Sequence, residues 1–151
     1  MVTMFDIQPE ELRGFITIAF QGDTALINTY HLVNGSLDKC VNSTVKEIKK
    51  VARTDKLSYY GIIWDGRPIG FTVLGKNFLI SFGINLRFRT KEILPLWWQL
   101  VCTALNEEFV TWIFKKNTRA IDFLKRNGMI VIEEHPDYIA MGHYSHQSVH
   151  H

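Results

Sequence analysis

One short segment, residues 116–129, constrains the fold of this chain more than any other feature. It lies between two strand-like runs, 109–114 and 129–134. Asn117 is a good helix N-cap, because its side-chain oxygen accepts a hydrogen bond from a first-turn N–H group. Three apolar residues then recur at helical spacing: Ala120, Phe123 and Leu124. Gly128 stands where a left-handed residue ends a helix, so the segment predicts a strand, a short amphipathic helix and a second strand.

Hydrophobic periodicity and turn residues place the remaining elements. Pro9 suits the first turn of a helix whose apolar stripe is Leu12, Phe15, Ile16, Ala19 and Phe20. Further helices are predicted over 24–32, 37–52 and 93–105. The other strands are predicted over 2–7, 58–64, 69–74, 78–84 and 138–144, with hairpin turns at 65–66 and 75–77. This order predicts a mixed α+β fold.

Length and composition bound the class of protein. A chain of 151 residues, 46% of them hydrophobic, is long enough for one domain with a substantial core. We predict that domain over 1–144, followed by a polar, histidine-rich tail over 145–151. The net charge of +2 is too small to indicate a nucleic-acid-binding protein. No run approaches the roughly 20 apolar residues of a membrane span, and no signal-peptide pattern is present, so we expect a cytoplasmic protein.

The cysteines and histidines do not predict a metal site. Cys40 and Cys102 fall on apolar helix faces without metal-ligand spacing, which favours reduced core residues. Four histidines stand near the C-terminus: His143, His146, His150 and His151. Because polar residues surround them, we interpret them as part of a frayed tail.

The residues Asn117, Ala120, Phe123, Leu124 and Gly128 form a pattern that closely resembles the second cofactor-binding motif of the GCN5-related N-acetyltransferases, Asn-x-x-Ala-x-x-Phe/Leu-Tyr-x-x-x-Gly-Phe. The order of elements is also similar to that family. The resemblance implies an acyl-CoA N-acyltransferase fold, in which the fourth strand of a mostly antiparallel sheet carries a bulge and splays from the fifth. It implies acetyl-CoA or another acyl-CoA as the cofactor and an amine as the acceptor. A fainter resemblance is to phage-encoded members of the superfamily.

The first cofactor motif of that family, Arg/Gln-x-x-Gly-x-Gly/Ala, is matched only at its leading arginine. Arg89 is followed by Glu92 and Leu94 at the two glycine positions. A Cβ atom obstructs close approach of the backbone to phosphate, and the Glu92 carboxylate would repel phosphate. Two interpretations stay open: either Arg87, Arg89 and Lys91 bind the phosphates through side chains, or the loop has lost its cofactor role. If the side chains of this loop do bind the phosphates, replacing Glu92 by glycine is expected to tighten coenzyme A binding.

The resemblance also implies the roles of individual residues. Backbone groups of Phe82, Gly83 and Ile84 would position the thioester carbonyl, and Asn117 would hydrogen-bond the pantetheine arm or the cofactor end. Arg89, with help from Arg87 and Lys91, would hold the pyrophosphate, and Thr90 is a further cofactor-binding candidate. Leu124 stands where many family members have a tyrosine that protonates the leaving thiolate, and leucine has no proton to give.

No strong catalytic group is evident from the sequence. Ser81 is the polar side chain of the strand over 78–84, and His31 lies near the usual acceptor pocket of this fold, so both are weak candidates. The leading hypothesis is transfer of an acyl group from acyl-CoA to a primary amine. The competing hypothesis is an inactive acetyltransferase-like protein that has lost coenzyme A binding and serves a binding or structural role, for example in a virus.

Two features predict contact with other chains. The strand over 138–144 is predicted to lie at the edge of the sheet, where unpaired backbone groups favour a homodimer. Trp98 lies off the apolar stripe of its helix and is therefore a candidate for exposure; an exposed tryptophan there is one candidate for a partner surface, alongside ordinary packing.

Overall fold

The computed structural model describes residues 1–30 and 36–144. The helices are α1 (Leu12–Phe20), α2 (Thr24–Tyr30), α3 (Leu37–Ala52), α4 (Leu94–Ala104) and α5 (Thr118–Arg126), with 3-10 turns at Pro9–Glu11 and Leu86–Phe88. The strands are β1 (Val2–Asp6), β2 (Ser58–Trp64), β3 (Arg67–Gly75), β4 (Phe78–Ile84), β5 (Phe109–Phe114), β6 (Ile130–Glu134) and β7 (Tyr138–His143). Every predicted element is therefore present. The candidate His31 and the predicted tail over 145–151 lie outside the described residues.

The seven strands of the described chain form one sheet in the order β1-β2-β3-β4-β5-β7-β6. Neighbouring strands are antiparallel except β4 and β5, which are parallel. Parallel neighbours need a crossover connection, and α4 supplies it here. The mixed α+β fold predicted from the order of elements and the mostly antiparallel sheet implied by the family resemblance are both confirmed.

Local residue chemistry fixes the turns and helix ends. Asp65 and Gly66 adopt φ values of 50° and 76°, as a two-residue hairpin of the primed type requires. Asn117 caps α5, where its side-chain oxygen accepts from the Ala120 N–H group at 3.4 Å. Gly128 follows α5 at a φ of 92°. The strand-helix-strand prediction for residues 109–134 is thus confirmed.

Helices cover both faces of the sheet and bury two apolar cores. On one face, α1, α2 and α3 pack around Phe20 and Phe71. On the other, α4 and α5 pack around Trp97 and Leu124. The buried Trp97 indole donates its N–H to the Thr72 hydroxyl at 3.0 Å, so its polar atom is satisfied. Within residues 1–30 and 36–144, no helix has the length and hydropathy needed to cross a membrane.

Trp98 is buried, so the suggested exposure is wrong. Only 7% of its surface is exposed. Its ring packs against Phe109 and Phe123, with centroid distances of 5.7 Å in both pairs. The helix α4 packs against the sheet and also contacts Phe123 of α5. Because α5 covers a second part of its surface, the buried face of α4 is wider than the apolar stripe that helical spacing predicts.

The strand β7 is not an edge strand, which corrects a second prediction. It pairs with β5 on one side and with β6 on the other. After β5 the chain forms β6 one strand position further out, and it then returns so that β7 lies between β5 and β6. The edge at this end of the sheet is β6, where Ile130, Val131 and Ile132 are exposed.

Candidate functional site

The strands β4 and β5 are paired at only two positions, Phe78 with Val110 and Leu79 with Thr111. The Thr111 hydroxyl donates to the Leu79 carbonyl at 2.8 Å, where the ladder ends. The register of β4 against β3 shifts at the next residue and leaves Ile80 as a bulge. A bulge bends its strand, so β4 leaves β5 and a V-shaped opening forms between them. The bulge and the splay implied by the family resemblance are both confirmed.

A cleft of about 480 Å³ occupies this opening, a volume typical of small-molecule sites. Most of the sequence-predicted site residues line it: Ser81, Phe82, Gly83, Ile84, Arg89 and Asn117. Three predicted residues are not among its lining residues: Arg87, Thr90 and Lys91. The cleft also has charged lining residues that the sequence analysis missed: Arg119, Asp122 and Arg126.

Two backbone positions of β4 face the opening, and one of them keeps both its N–H and its C=O group available. The N–H group of Asn85 donates to the Ile69 carbonyl of β3 at 2.7 Å. Because backbone direction alternates from residue to residue along a strand, Phe82 and Ile84 face away from β3 and into the opening. The Ile84 carbonyl is already used, since it accepts from Arg89 Nε at 2.8 Å. Phe82 therefore presents its N–H and C=O groups to a ligand in the cleft.

A buried carboxylate holds two arginines beside the cleft. Asp23, only 1% exposed, precedes α2. Its Oδ2 lies 2.7 Å from Arg89 Nη2, and its Oδ1 accepts from Arg119 Nη2 at 2.8 Å. The Leu26 N–H group also donates to Oδ1, at 3.1 Å. Because one carboxylate serves two guanidinium groups, the cluster keeps a net positive charge on arginines that are partly exposed.

The Asp23 carboxyl remains ionised despite its burial. Burial by itself raises the pKa of this group, but the hydrogen bond from Arg119, the Leu26 N–H group and the Arg89 charge outweigh it, so the pKa lies below its ordinary 3.8. The cluster therefore ties α2, α5 and the loop before α4 together through one charge. Its members are too far apart in sequence for spacing to reveal it.

Replacing Asp23 by asparagine is expected to destabilise the protein by about 1–3 kcal/mol at neutral pH, because two arginines lose their shared counter-charge. The pKa of Asp23 is lower in the folded state than in the unfolded state. The ion pairs therefore stabilise the protein fully above the unfolded-state pKa of about 4. This stabilisation is lost as the pH falls through the lower pKa of the folded state. Urea unfolding near neutral pH and at about pH 2 measures the effect. An equal difference between wild type and Asp23→Asn at both pH values would contradict it.

The start of α4 leaves few N–H groups for a phosphate. The Thr90 hydroxyl accepts from the Ile93 N–H group at 3.3 Å, and the Thr90 carbonyl accepts from the Leu94 N–H group at 3.0 Å. Pro95, in the first turn, has no N–H group. Glu92 is exposed and is not among the residues that line the cleft. An anion at this end of the cleft would therefore depend on side chains rather than on the amides of a glycine-rich loop.

The predicted basic residues divide into two groups. Arg87 and Lys91 are exposed and do not line the cleft, whereas Arg89 does. Arg119 joins Arg89 from the first turn of α5. A signal for Arg119 was present in the sequence, since it stands two residues after the cap Asn117 in the motif that carries the family resemblance.

The cleft has few groups that could transfer a proton. Ser81 is half-buried in its wall, and Asp122 lines it from an exposed position on α5. Leu124 is fully buried and does not line the cleft, whereas the preceding residue, Phe123, does. Within the described chain, no histidine, cysteine or tyrosine is among the lining residues.

Solved structures of the same architecture include PaiA N-acetyltransferase from Thermoplasma acidophilum in complex with coenzyme A. It has a TM-score of 0.73 and 14% identity, over 96% of this chain and 99% of that chain. An acetyltransferase from Thermus thermophilus has a TM-score of 0.68 and 12% identity, over 94% and 96% of the two chains. Campylobacter jejuni N-acetyltransferase PseH, in complex with acetyl coenzyme A, has a TM-score of 0.54 and 10% identity, over 96% and 99%. No protein-family model and no curated protein matches the sequence.

These likenesses extend over nearly the whole of each chain, while the identities are low. They therefore concern architecture: the seven-stranded sheet, the parallel β4 and β5 pair and the flanking helices. The chain has the fold of the GCN5-related N-acetyltransferases.

Proposed function

We propose that this protein is an N-acyltransferase that transfers an acetyl or other short acyl group from acyl-CoA to a primary amine. One observation carries the proposal: β4 and β5 splay into a cleft that the Phe82 backbone faces and that Arg89 and Arg119 flank. PaiA and PseH, which share the fold, are in complex with coenzyme A and acetyl coenzyme A.

The lining of the cleft fits an acyl-CoA. Ile84, Leu94 and Phe123 give apolar walls for the pantetheine arm, and Asn117 offers an amide beside them. Arg89 and Arg119 suit the pyrophosphate, because guanidinium groups form charge-assisted hydrogen bonds with phosphate oxygens. Asp23 already orders both side chains, so binding an anion costs less conformational entropy than it would with free arginines.

The residues of the chain would act mainly by positioning. Acyl-CoA supplies an acyl group activated as a thioester. The Phe82 N–H group would donate to the thioester carbonyl oxygen, where negative charge develops as the amine attacks. The two walls of the cleft would hold the amine against the acyl carbon, which by itself can supply much of the rate. Ser81 and Asp122 are the lining groups available to exchange protons with solvent.

The face of the cleft formed by β5 suits an amine. Trp112 and Phe114 line it and are exposed, and the Trp112 ring packs against Tyr138 with a centroid distance of 5.3 Å. An aromatic face attracts an ammonium group through the ring quadrupole. We therefore propose that the acceptor amine approaches along β5, from the side that these two rings form.

Isothermal titration with acetyl-CoA tests the proposal. We expect measurable binding that weakens as salt rises, because exposed phosphate contacts are screened. S-acetyl-pantetheine, which lacks the pyrophosphate, should bind more weakly and with little dependence on salt. Release of free thiol from acetyl-CoA should then depend on an added primary amine. No heat and no thermal stabilisation at about millimolar acetyl-CoA would reject the proposal and favour the inactive binding or structural protein.

A homodimer through β6 is a separate expectation. This edge strand has a run of three exposed apolar residues, Ile130, Val131 and Ile132, that does not oppose pairing with a second edge. Light scattering at micromolar concentration should give a mass of two chains. Ile132→Lys should shift the mass toward one chain, whereas Thr3→Lys on the opposite edge, β1, should not. A one-chain mass for the unmodified protein would contradict the expectation.

A further inference from the structure

Three potential metal ligands meet where α4 ends. Cys102 of α4, Glu107 of the following loop and His143 of β7 each place a ligand atom within 4.8 Å of the others. Cys102 and His143 are 41 positions apart, so no spacing motif reveals the group. The cluster lies at the start of β5, where His143 pairs with Phe109, and not at the splayed end that forms the cleft.

The His143 ring is oriented as metal-binding histidines are. Its Nδ1 lies 2.6 Å from the Glu107 carbonyl oxygen. A carbonyl oxygen only accepts, so Nδ1 carries the proton, and the Nε2 lone pair of the neutral ring faces Cys102 Sγ at 3.8 Å. Metal-bound histidines commonly donate their second N–H group to a carbonyl, which fixes the tautomer. Stacking on Phe109, with a centroid distance of 5.0 Å, further restricts the ring. His143 therefore belongs to β7, and its interpretation as part of a frayed tail is wrong.

The distances and ligand types fit a zinc-class cation. Tetrahedral zinc, with metal-ligand bonds of about 2.3 Å to sulfur and about 2.0 Å to nitrogen, places those two ligands about 3.5 Å apart. The observed 3.8 Å between Sγ and Nε2 is close to that separation. A thiolate and an imidazole favour Zn²⁺ or Co²⁺, whereas Mg²⁺ and Ca²⁺ prefer oxygen ligands. Glu107 is exposed, which leaves access for the ion and for a water as fourth ligand.

The backbone at Glu107 gives an independent indication. Its φ is 67°, directly after Asn106 at 55°. Asparagine tolerates this left-handed conformation, but glutamate adopts it rarely and at a cost in energy. The Glu107 N–H group donates to the Cys102 carbonyl at 2.8 Å, so the strained turn sets Glu107 beside the thiol. Strained non-glycine residues of this kind concentrate at functional sites.

A reactive thiol is the alternative explanation of the cluster. Cys102 is buried, which leaves a substrate little access to its sulfur, and it does not line the cleft that forms the candidate active site. The arrangement of three unlike ligands around one point therefore fits a cation better than a catalytic cysteine.

We propose that Cys102, Glu107 and His143 bind one zinc-class divalent cation. The ion would join the end of α4 to the end of β7 and so stabilise the paired end of the β4 and β5 ladder. The Cys102 thiol would lose its proton to solvent as the metal–sulfur bond forms, and no change of oxidation state is involved. The site is independent of the proposed acyl transfer.

Titration of the full-length protein with Co²⁺ tests the site. We expect a thiolate-to-cobalt charge-transfer band that saturates at one equivalent, because only a cysteine ligand produces it. Cys102→Ser should abolish the band, and Glu107→Gln should weaken Co²⁺ binding by at least about tenfold. Glu47→Gln, an exposed carboxylate on α3, should change nothing. Absorption without a charge-transfer band, as histidines alone would give, would overturn the proposal, as would a band that survives Cys102→Ser.

Glu107→Gly gives a second test, because it should stabilise the metal-free protein and weaken its stabilisation by Zn²⁺. Glycine adopts a positive φ without strain, so the metal-free variant should melt at a higher temperature than the metal-free wild type. Zn²⁺ should raise the melting temperature of the wild type by more than that of Glu107→Gly, because the variant keeps only two of the three ligands, while Mg²⁺ should affect neither. An equal Zn²⁺-induced shift in both proteins would refute the site even if Cys102→Ser failed to fold.

Discussion

Replacing Arg89 and Arg119 together by glutamine is expected to weaken acetyl-CoA binding by about 100-fold. Each charge-assisted contact to phosphate contributes about 1.4 kcal/mol, or about tenfold in the dissociation constant. These two guanidinium groups are the ones that Asp23 orders beside the cleft. Isothermal titration with acetyl-CoA and with S-acetyl-pantetheine measures the change, and only acetyl-CoA should lose affinity.

Two control variants test whether the phosphates bind to the arginines paired with Asp23 or to the exposed residues of the loop before α4. Arg87→Gln/Lys91→Gln removes the same charge from exposed residues outside the cleft lining, so acetyl-CoA should bind it almost as well as it binds the wild type. Glu92→Gly, which is expected to tighten binding if this loop holds the phosphates, should now have little effect, because Glu92 does not line the cleft. If Arg87→Gln/Lys91→Gln loses as much affinity as the cluster variant, the loop is the phosphate site and the assignment of the cluster is wrong.

The fold of the cluster variant needs its own check, because Asp23 would lose both charged partners and an unpaired buried carboxylate is destabilising. Adding Asp23→Asn to the double variant removes that charge. The resulting triple variant should unfold at a higher denaturant concentration than the double variant and show the same weak binding of acetyl-CoA. Recovery of affinity in the triple variant would contradict phosphate binding by the two arginines.

Gly70→Ala is expected to destabilise the protein by about 3 kcal/mol or more, the upper range for an overpacked core position. Gly70 lies in β3 opposite Ile84 of β4. A Cβ atom at this position would overlap the Gly83 carbonyl oxygen, and a backbone atom cannot rotate out of the way. The strand β4 would have to move, which would also displace the Phe82 groups that face the cleft. Urea unfolding and titration with acetyl-CoA should both show a loss.

Gly14→Ala is the matched control for that change. Gly14 lies in α1 and is exposed, and no atom lies within 4 Å of the position a Cβ would take. Alanine should therefore raise the free energy of unfolding by about 0.5–1 kcal/mol, since glycine is the poorer helix former. Equal losses in both variants would show that the effect at Gly70 does not arise from contact with β4.

The sequence by itself determined the elements and their local chemistry. Asn117 and Gly128 set the two ends of α5, and Asp65-Gly66 set a hairpin, because capping and turn geometry depend on residues a few positions apart. The fold and the splayed β4 and β5 pair were indicated by the resemblance of the motif around Asn117 to a known family. The predictions of caps and turns succeed because the interacting groups are neighbours in the chain.

The tertiary structure alone decided where distant residues meet. It placed β7 inside the sheet, covered Trp98 with Phe109 and Phe123, and joined Asp23 to Arg119 across 96 positions. It also showed that Arg87 and Lys91 lie outside the cleft that Arg89 lines. A side chain's exposure and its charged partners depend on which strands and helices become neighbours. That choice is made by burial and pairing over the whole chain, so local spacing in the sequence does not contain it.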